Sequence, residues 1–402
     1  MKKTRKKETA LRRVMALILL TGYLFAFCAR AERPQPTFSR QTAENRSATF
    51  RVVGDFVIHD AVYNAAKTSN GEYDFSPMLE MIAPVMARAD FTFANVDGCL
   101  RGLDKYPVSG YPQFNTPPSL LNALKGAGVD ALTMANNHSL DWWYDGLKLS
   151  IDNAEKAGLL HVGASRSQEE KDTPALFEIG GITFGFLNYT TSLNGIDQLA
   201  ALDKNALVYG VNASWKANFE EDVQNLRFAG AEFVVCFMHW GAEYRDTPNT
   251  QQTSLAKRLC EAGVDVIVGG HPHVVQRADW LTGVNQFGEE QKTLCVYSLG
   301  NFLSDQRTFP RDGGIIFEFT VSEDENGSLS VTETGYFSTW VWKTSSGNQR
   351  IYRVLNAAEC LSARPSGMSA SQYQTMKACH ERNAKIMESG SAEVPLLLGS
   401  DQ

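Results

Sequence analysis

The run Asp265-Val-Ile-Val-Gly-Gly-His-Pro-His273 holds the densest chemistry in the chain. Two imidazoles separated by one proline make a pair of metal ligands or proton carriers on a stiff loop. The β-branched segment Asp265–Val268 predicts a buried strand leading into them. Gly269 and Gly270 predict a sharp turn off the strand end, and Pro272 predicts an extended His271. Open α/β sheets place their ligands at such strand ends. The plainer reading is a surface loop that happens to carry two histidines. Only seven histidines occur in 402 residues, so two of them beside paired glycines favour metal ligation. One loop does not complete a site, and the remaining ligands have to come from other strand ends.

Polar residues do gather where the other apolar segments stop. Gly54-Asp55 closes the first, with His59-Asp60 just beyond, and Asn95-Val-Asp97 closes the second. Ala135-Asn-Asn137-His138 closes the third, followed by Asp141. His239-Trp-Gly-Ala-Glu243 closes the fifth and Tyr297-Ser-Leu-Gly-Asn301 the seventh. Singly, Asp55 or Asn301 reads as a turn cap and His239 as a satisfied core histidine. Together they point to one metal-containing cleft. Imidazole and carboxylate donors without thiolate suit Mn, Fe or Zn, as one ion or two. A bound divalent ion lowers the pKa of water from ~15.7 towards ~7, and a pair of ions clamps a phosphoryl displacement.

The elements that would carry these residues alternate. Strands are predicted over Thr49–Phe56, Phe91–Val96, Ala131–Ala135, Ile182–Tyr189, Glu232–His239, Asp265–Val268, Leu294–Leu299 and Ile315–Val321. Helices are predicted over Pro77–Ala87, Ser119–Ala127, Tyr144–Ala157, Ser214–Ala229, Gln252–Ala262 and Ala370–Met387. Gly128, Gly158, Gly230 and Gly263 supply C-terminal stop signals. The alternation predicts an α/β sandwich. From Leu294 to Thr332 few helices intervene, which predicts a more antiparallel second sheet.

Composition bounds the rest. A hydrophobic content of 43%, a charged content of 21% and a net charge of −7 are those of a globular protein without a nucleic-acid stripe. Seven Lys and Arg residues among the first thirteen, the apolar run Val14–Phe27 and Ala29-Arg30-Ala31 predict a secretory signal cleaved after Ala31. The alternative is an uncleaved membrane anchor. The predicted division is thus 1–31 signal, 32–48 polar tether, 49–340 core domain and 341–402 extension with one helix and a polar tail. Cys28 follows Phe27 where lipidation wants a small residue, and no CxxC spacing occurs. Outside the cell, Cys360 and Cys379 are expected to form a disulfide. His161 and His380 are expected to be structural.

The stretches GDFVIHDAVY, YDFSPMLEMIAP, ADFTFANVDG, YPQFNTPPSLLNAL, MANNHSLD, NYTTSLNGI, HWGAEY, GGHPHVVQ and YSLGNF resemble the CapA family of poly-γ-glutamate capsule-synthesis proteins. That family is a branch of the calcineurin-like metallophosphoesterases. The resemblance runs from Thr49 to Thr320 and implies a four-layer αββα sandwich with its metal site at the loop ends of the two sheets. It implies Asp55 as first ligand, Asp97 as bridging acid, Asn137 as ligand and His138 as catalytic histidine. His239, His271 and His273 match the remaining ligands, and Asp141 would orient His138. The chain departs from the family at Val57, where a histidine is usual, leaving His59 as a substitute two residues on. It departs again at Asp97, usually Glu, and at Trp143, usually Gly.

Two functions follow as expectations. One is an exported metal-dependent hydrolase acting on a phosphoester or surface-polymer bond. The other is a component that holds polymer beside membrane capsule-synthesis proteins without turnover.

Overall fold

The computed structural model describes residues 46–102 and 107–399, so the predicted signal and nearly all of the tether lie outside the described residues. Among the described residues, fourteen strands form two sheets. They are β1 (Ser47–Val57), β2 (Phe91–Val96), β3 (Ala131–Thr133), β4 (Leu160–Val162), β5 (Leu176–Ile179), β6 (Ile182–Thr190) and β7 (Phe233–His239). The chain continues through β8 (Val266–Gly270), β9 (Val275–Val284), β10 (Glu290–Leu299), β11 (Asn301–Ser304), β12 (Gly313–Glu323), β13 (Leu329–Ser346) and β14 (Gln349–Asn356). The first sheet runs β14-β13-β12-β1-β2-β3-β4, with β11 also paired to β1; the second runs β5-β6-β7-β8-β10-β9.

Three apolar clusters define the layers. Phe50, Phe91, Phe93 and Phe317 of the first sheet meet Phe184, Phe186, Phe237 and Val268 of the second in the central core. The outer face of the first sheet packs on helices Asp60–Ala66, Ser119–Gly126 and Trp143–Lys156. The outer face of the second packs on helices Phe219–Phe228 and Thr250–Ala262. This is an α/β sandwich, as the alternation predicts, in the four-layer αββα form the resemblance implies. Continuous apolar strands such as Phe233–Met238 are buried on both faces, as central strands between helix and sheet must be.

Several expectations change. The antiparallel strands do not make a sheet of their own. Instead β10 runs parallel to β8 inside the second sheet, while β12 pairs antiparallel with β1 in the first. Pro77–Ala87 is not one helix but two short ones, Ser76–Leu79 and Ala83–Met86, because Pro84 cannot continue the earlier ladder. The helix begun near Ser214 starts only at Phe219, where Asn218 caps it by accepting from Glu221 N–H.

The division at 340/341 falls inside β13, and β14 completes that edge of the sheet. The tail is apolar where it matters: Ala392 and Val394 are buried in the central core, and Leu397 N–H donates to Tyr336 O at 2.8 Å. Cys360 and Cys379 are free thiols rather than a disulfide. Both pack with Trp340, Trp342, Met368 and Met376 under helix Ala370–Met387, behaving as small hydrophobes. Burial pushes the Cys360 thiol up to about 11.

Candidate metal centre

Parallel strands β1, β2, β3, β7 and β8 deliver their ends to one edge of the sandwich, as the sequence positions demand. Asp55 lies opposite Asn95 of β2 and Asn301 of β11, at a register shift in β1. Gly54 permits this crossing, since a Cβ there would sit 2.3 Å from Gly300 O. Gly269 and Gly270 do not turn the chain as expected; they belong to β8 and allow close approach. A Cβ on Gly270 would lie 2.8 Å from Asp55 Oδ1. The turn is made by the histidines themselves. His271 has φ +94° rather than the extended backbone Pro272 predicts, and His273 has φ +57°. Its cause is visible: His271 N–H donates to Asp55 Oδ2 at 3.1 Å, and Pro272 O accepts Tyr244 N–H at 2.7 Å.

The same strain recurs around the cleft. The described non-glycine residues with positive φ are Trp143, which opens helix Trp143–Lys156, and Asn194, Tyr244, His271 and His273, which lie on the loops that meet here. Such residues cost about 1–3 kcal/mol each and persist where surrounding contacts over-determine them.

Ligand-type atoms converge in two groups. His239 Nε2 lies 2.8 Å from Asn137 Oδ1, 3.2 Å from His271 Nδ1 and 3.8 Å from Asp97 Oδ1. His273 Nδ1 lies 3.2 Å from Asp55 Oδ2, and its Nε2 lies 3.9 Å from Asp97 Oδ2. Asp97 therefore faces both groups, one oxygen to each. Asp55, Asp97 and His239 offer ligand atoms that all lie within 4.8 Å of one another. Between Asp55, Asn95 and His239 opens a cavity of about 30 Å³, space for an ion or a water or two.

Electrostatics show that the cluster is not self-sufficient. Asp97 Oδ2 is buried without a hydrogen-bond partner. Buried polar atoms normally have partners, so this oxygen marks a place for a further species. Burial and the neighbouring Asp55 push the Asp97 carboxyl up to about 7. Burial lowers His273, but the hydrogen-bonding and charge of Asp55 outweigh it and carry the group up to about 9. Burial and the charge of His273 hold His271 down to about 4, and burial with His271 drives His239 well below the ordinary range. Divalent cations fit this donor set: they would neutralise two buried carboxylates and accept the lone pairs of neutral imidazoles.

His138 sits beside the cluster, its Nδ1 2.8 Å from Asp141 Oδ2. Asp141 is itself fixed by Phe114 N–H at 2.7 Å, and the Phe114 ring meets the imidazole edge-on at 4.8 Å. Burial lowers the His138 pKa, yet the bond to Asp141 and its charge raise it overall.

The remaining candidates stand apart from the ligand atoms. His59 occupies the N-cap position of helix Asp60–Ala66, its Nδ1 3.0 Å from Val57 O and 3.3 Å from Asp305 N. Glu243 is exposed at the rim. Asn301 is fully buried, and its Nδ2 donates to Arg311 O at 2.8 Å and to Gln306 Oε1 at 3.1 Å.

Sequence reasoning passed over three asparagines. Asn95 Nδ2 donates at 2.8 Å to both Asp55 Oδ1 and Asp97 Oδ1, holding the two carboxylates in place. The signal was present, because Asn95 and Asp97 are two apart and share a strand face. Asn136 donates to Asn95 Oδ1 and accepts from His138 N–H, so it links ligand and proton carrier. Asn194 accepts from Asn137 Nδ2 at 3.2 Å. It lies on an irregular segment after β6, where no periodicity marks it.

Comparison with known proteins identifies the family. Residues 49–306 match the family described as Bacterial capsule synthesis protein PGA_cap, a span that contains every candidate ligand. The chain is 27% identical over 334 residues to the PGA biosynthesis protein CapA of Bacillus subtilis, covering 82% of each. It is 26% identical to the capsule biosynthesis protein CapA of Bacillus anthracis, covering 76% of this chain and 71% of that one. Among solved structures, the calcineurin-like phosphoesterase YfkN of Bacillus subtilis aligns with TM-score 0.44 and 12% identity over 85% of this chain and 99% of that one. The chain belongs to the PGA_cap family of bacterial capsule synthesis proteins.

Proposed function

We propose that this protein is an exported, metal-dependent phosphoester hydrolase acting in the synthesis of a surface polymer. The observation that carries the reading is the Asp97 carboxylate, whose Oδ1 and orphaned Oδ2 each face a different group of ligand atoms, beside the His138–Asp141 pair. Asp55, Asp97, Asn137, His239, His271 and His273 are the residues that would hold the ions, with Mn, Fe or Zn suited to the donors. When bound, such ions stabilise charge on phosphoryl oxygens and acidify water.

The chain's own contribution is proton handling and placement. Asp141 accepts from His138 Nδ1 and raises the imidazole's pKa, favouring the protonated ring whose Nε2–H can serve a leaving oxygen. Asn95 holds Asp55 and Asp97 at fixed separation. Strained His271 and His273 present their rings from a backbone locked by Asp55 and Tyr244. Export rests on the basic, apolar and Ala29-Arg30-Ala31 segments at the start of the chain, and the capsule context on the printed names of the two Bacillus relatives.

The test is metal content of the purified chain followed by hydrolysis of an aryl phosphate with Mn added. Metal-dependent turnover that His138→Ala abolishes while metal is retained is the expected result. Retained metal and polymer synthesis without any turnover would instead favour a cleft that only holds polymer.

A further inference from the structure

The loop between β11 and β12 carries a guanidinium whose position is not explained by packing. Arg311 Cζ stacks 3.3 Å above the centroid of the Tyr244 ring. Tyr244 is clipped to the His-Pro-His turn through its N–H to Pro272 O, and its ring centroid lies 6.2 Å from that of His273. Arg311 is thus one aromatic ring away from the cluster.

Its backbone is fixed on both sides. Arg311 N–H donates to Thr308 O at 2.9 Å, and Arg311 O accepts from Asn301 Nδ2 at 2.8 Å. Asn301 in turn lies opposite Asp55 in register. The next residue, Asp312, accepts from Trp340 Nε1 and from Val341 N–H. The side chain, by contrast, has no hydrogen bond or ion pair with any described residue, although it is half-buried. Elsewhere Arg166, Arg227 and Arg277 each pair with a carboxylate. A stacked guanidinium keeps its in-plane N–H fork free, the geometry that recognises a phosphoryl or carboxylate group.

We infer that Arg311 receives an oxyanion of the ligand entering the cleft, with Tyr244 as its platform and Asn301 as the residue that positions the loop. The assignment rests on the hydrolase reading only for the identity of the cleft. It gives Asn301 a positioning role in place of ligation. An overall acidic protein that admits an anionic substrate needs a local cation at the mouth, and Arg311 supplies one independently of any metal.

The test measures binding, with Mn content and melting temperature followed in parallel. Inorganic phosphate and a glutamate oligomer serve as separate probes against the full chain, Arg311→Gln and Arg311→Lys. Loss of one charge-assisted bidentate contact should weaken binding at least about tenfold in Arg311→Gln. Mn content should stay at the wild-type level, and Arg311→Lys should recover part of the loss, since an ammonium lacks the planar fork. Loss confined to phosphate identifies a phosphoryl ligand, and loss confined to the oligomer identifies a carboxylate one. The inference is overturned if Arg311→Gln binds both probes as the wild type does, if the wild type binds neither, or if the variant loses its metal along with its affinity. A wild type that takes up no Mn, yet shows the Arg311 effect on binding, would defeat the hydrolase reading and leave this assignment standing.

Discussion

Among the described residues, two His-carboxylate clusters have ligand-type atoms within 4.8 Å of one another, and they could hardly differ more in electrostatic state. In the cleft, Asp55, Asp97 and His239 are all buried, and no Lys or Arg side chain among the described residues pairs with either carboxylate. On helix Trp143–Lys156 and its neighbours, Glu155, His161 and Glu170 surround Arg166 instead. That guanidinium donates to Glu155 Oε1 at 2.7 Å, to Glu170 Oε1 at 2.9 Å and to Asp152 Oδ1 at 2.7 Å. Its charge occupies the place an ion would take. The lesson is that residue types and spacing propose a metal site, while unsatisfied buried charge decides it. Backbone strain agrees, for four of the five described non-glycine residues with positive φ lie on the cleft loops.

The comparison can be broken most forcefully at the proton carrier. His138→Ala should lower aryl-phosphate turnover by about 10²–10⁴-fold, the usual contribution of a general acid, while metal content stays constant. Steady-state kinetics beside elemental analysis reads both. The second largest effect belongs to Asn95, which touches no substrate. Asn95→Ala should weaken metal affinity by about 10–100-fold, as loss of a group orienting ligands does, and a competition titration with a chelator measures it.

Effects at the Arg166 cluster are smaller and of another kind. Arg166→Met should lower thermal stability by about 1 kcal/mol, the scale of partly exposed ion pairs, and leave metal content unchanged. Glu155 sharpens the point through pH. Its hydrogen bond with His161, joined by Arg166 and opposed by burial, takes its carboxyl down to about 2 from an ordinary 4.5. A depressed carboxylate stabilises the fold above its unfolded pKa and loses that contribution as pH falls through the folded value. The stability gap between wild type and Glu155→Gln should therefore be full above pH 4.5 and close progressively towards pH 2. Denaturant titrations across that window would show it.

Much of this was legible in the sequence because it is local. The period of the apolar segments gave β2 with both ends, Phe91–Val96, and helix Ala370–Met387 with both ends. Strand-end motifs named His239, His271, His273, Asp55 and Asp97 before any geometry. What escaped depends on contacts across the chain. Strand β14 and the buried Ala392 and Val394 read as a polar extension because their partners, β13 and the central core, lie far away in sequence. His271 departs from its pre-proline preference because Asp55, over two hundred residues earlier, accepts its N–H. Asn194 is an ordinary residue until folding sets it beside the Asn137 amide.

One measurement bears most directly on the contrast between the clusters: metal stoichiometry of the purified full chain after loading with Mn and removal of excess. The wild type and Glu155→Gln should each retain one or two ions per chain, and Asp97→Asn should retain fewer, because Asp97 alone faces both groups of ligand atoms. A wild type without metal, or a Glu155→Gln chain that loses its ions while Asp97→Asn keeps them, would contradict the account.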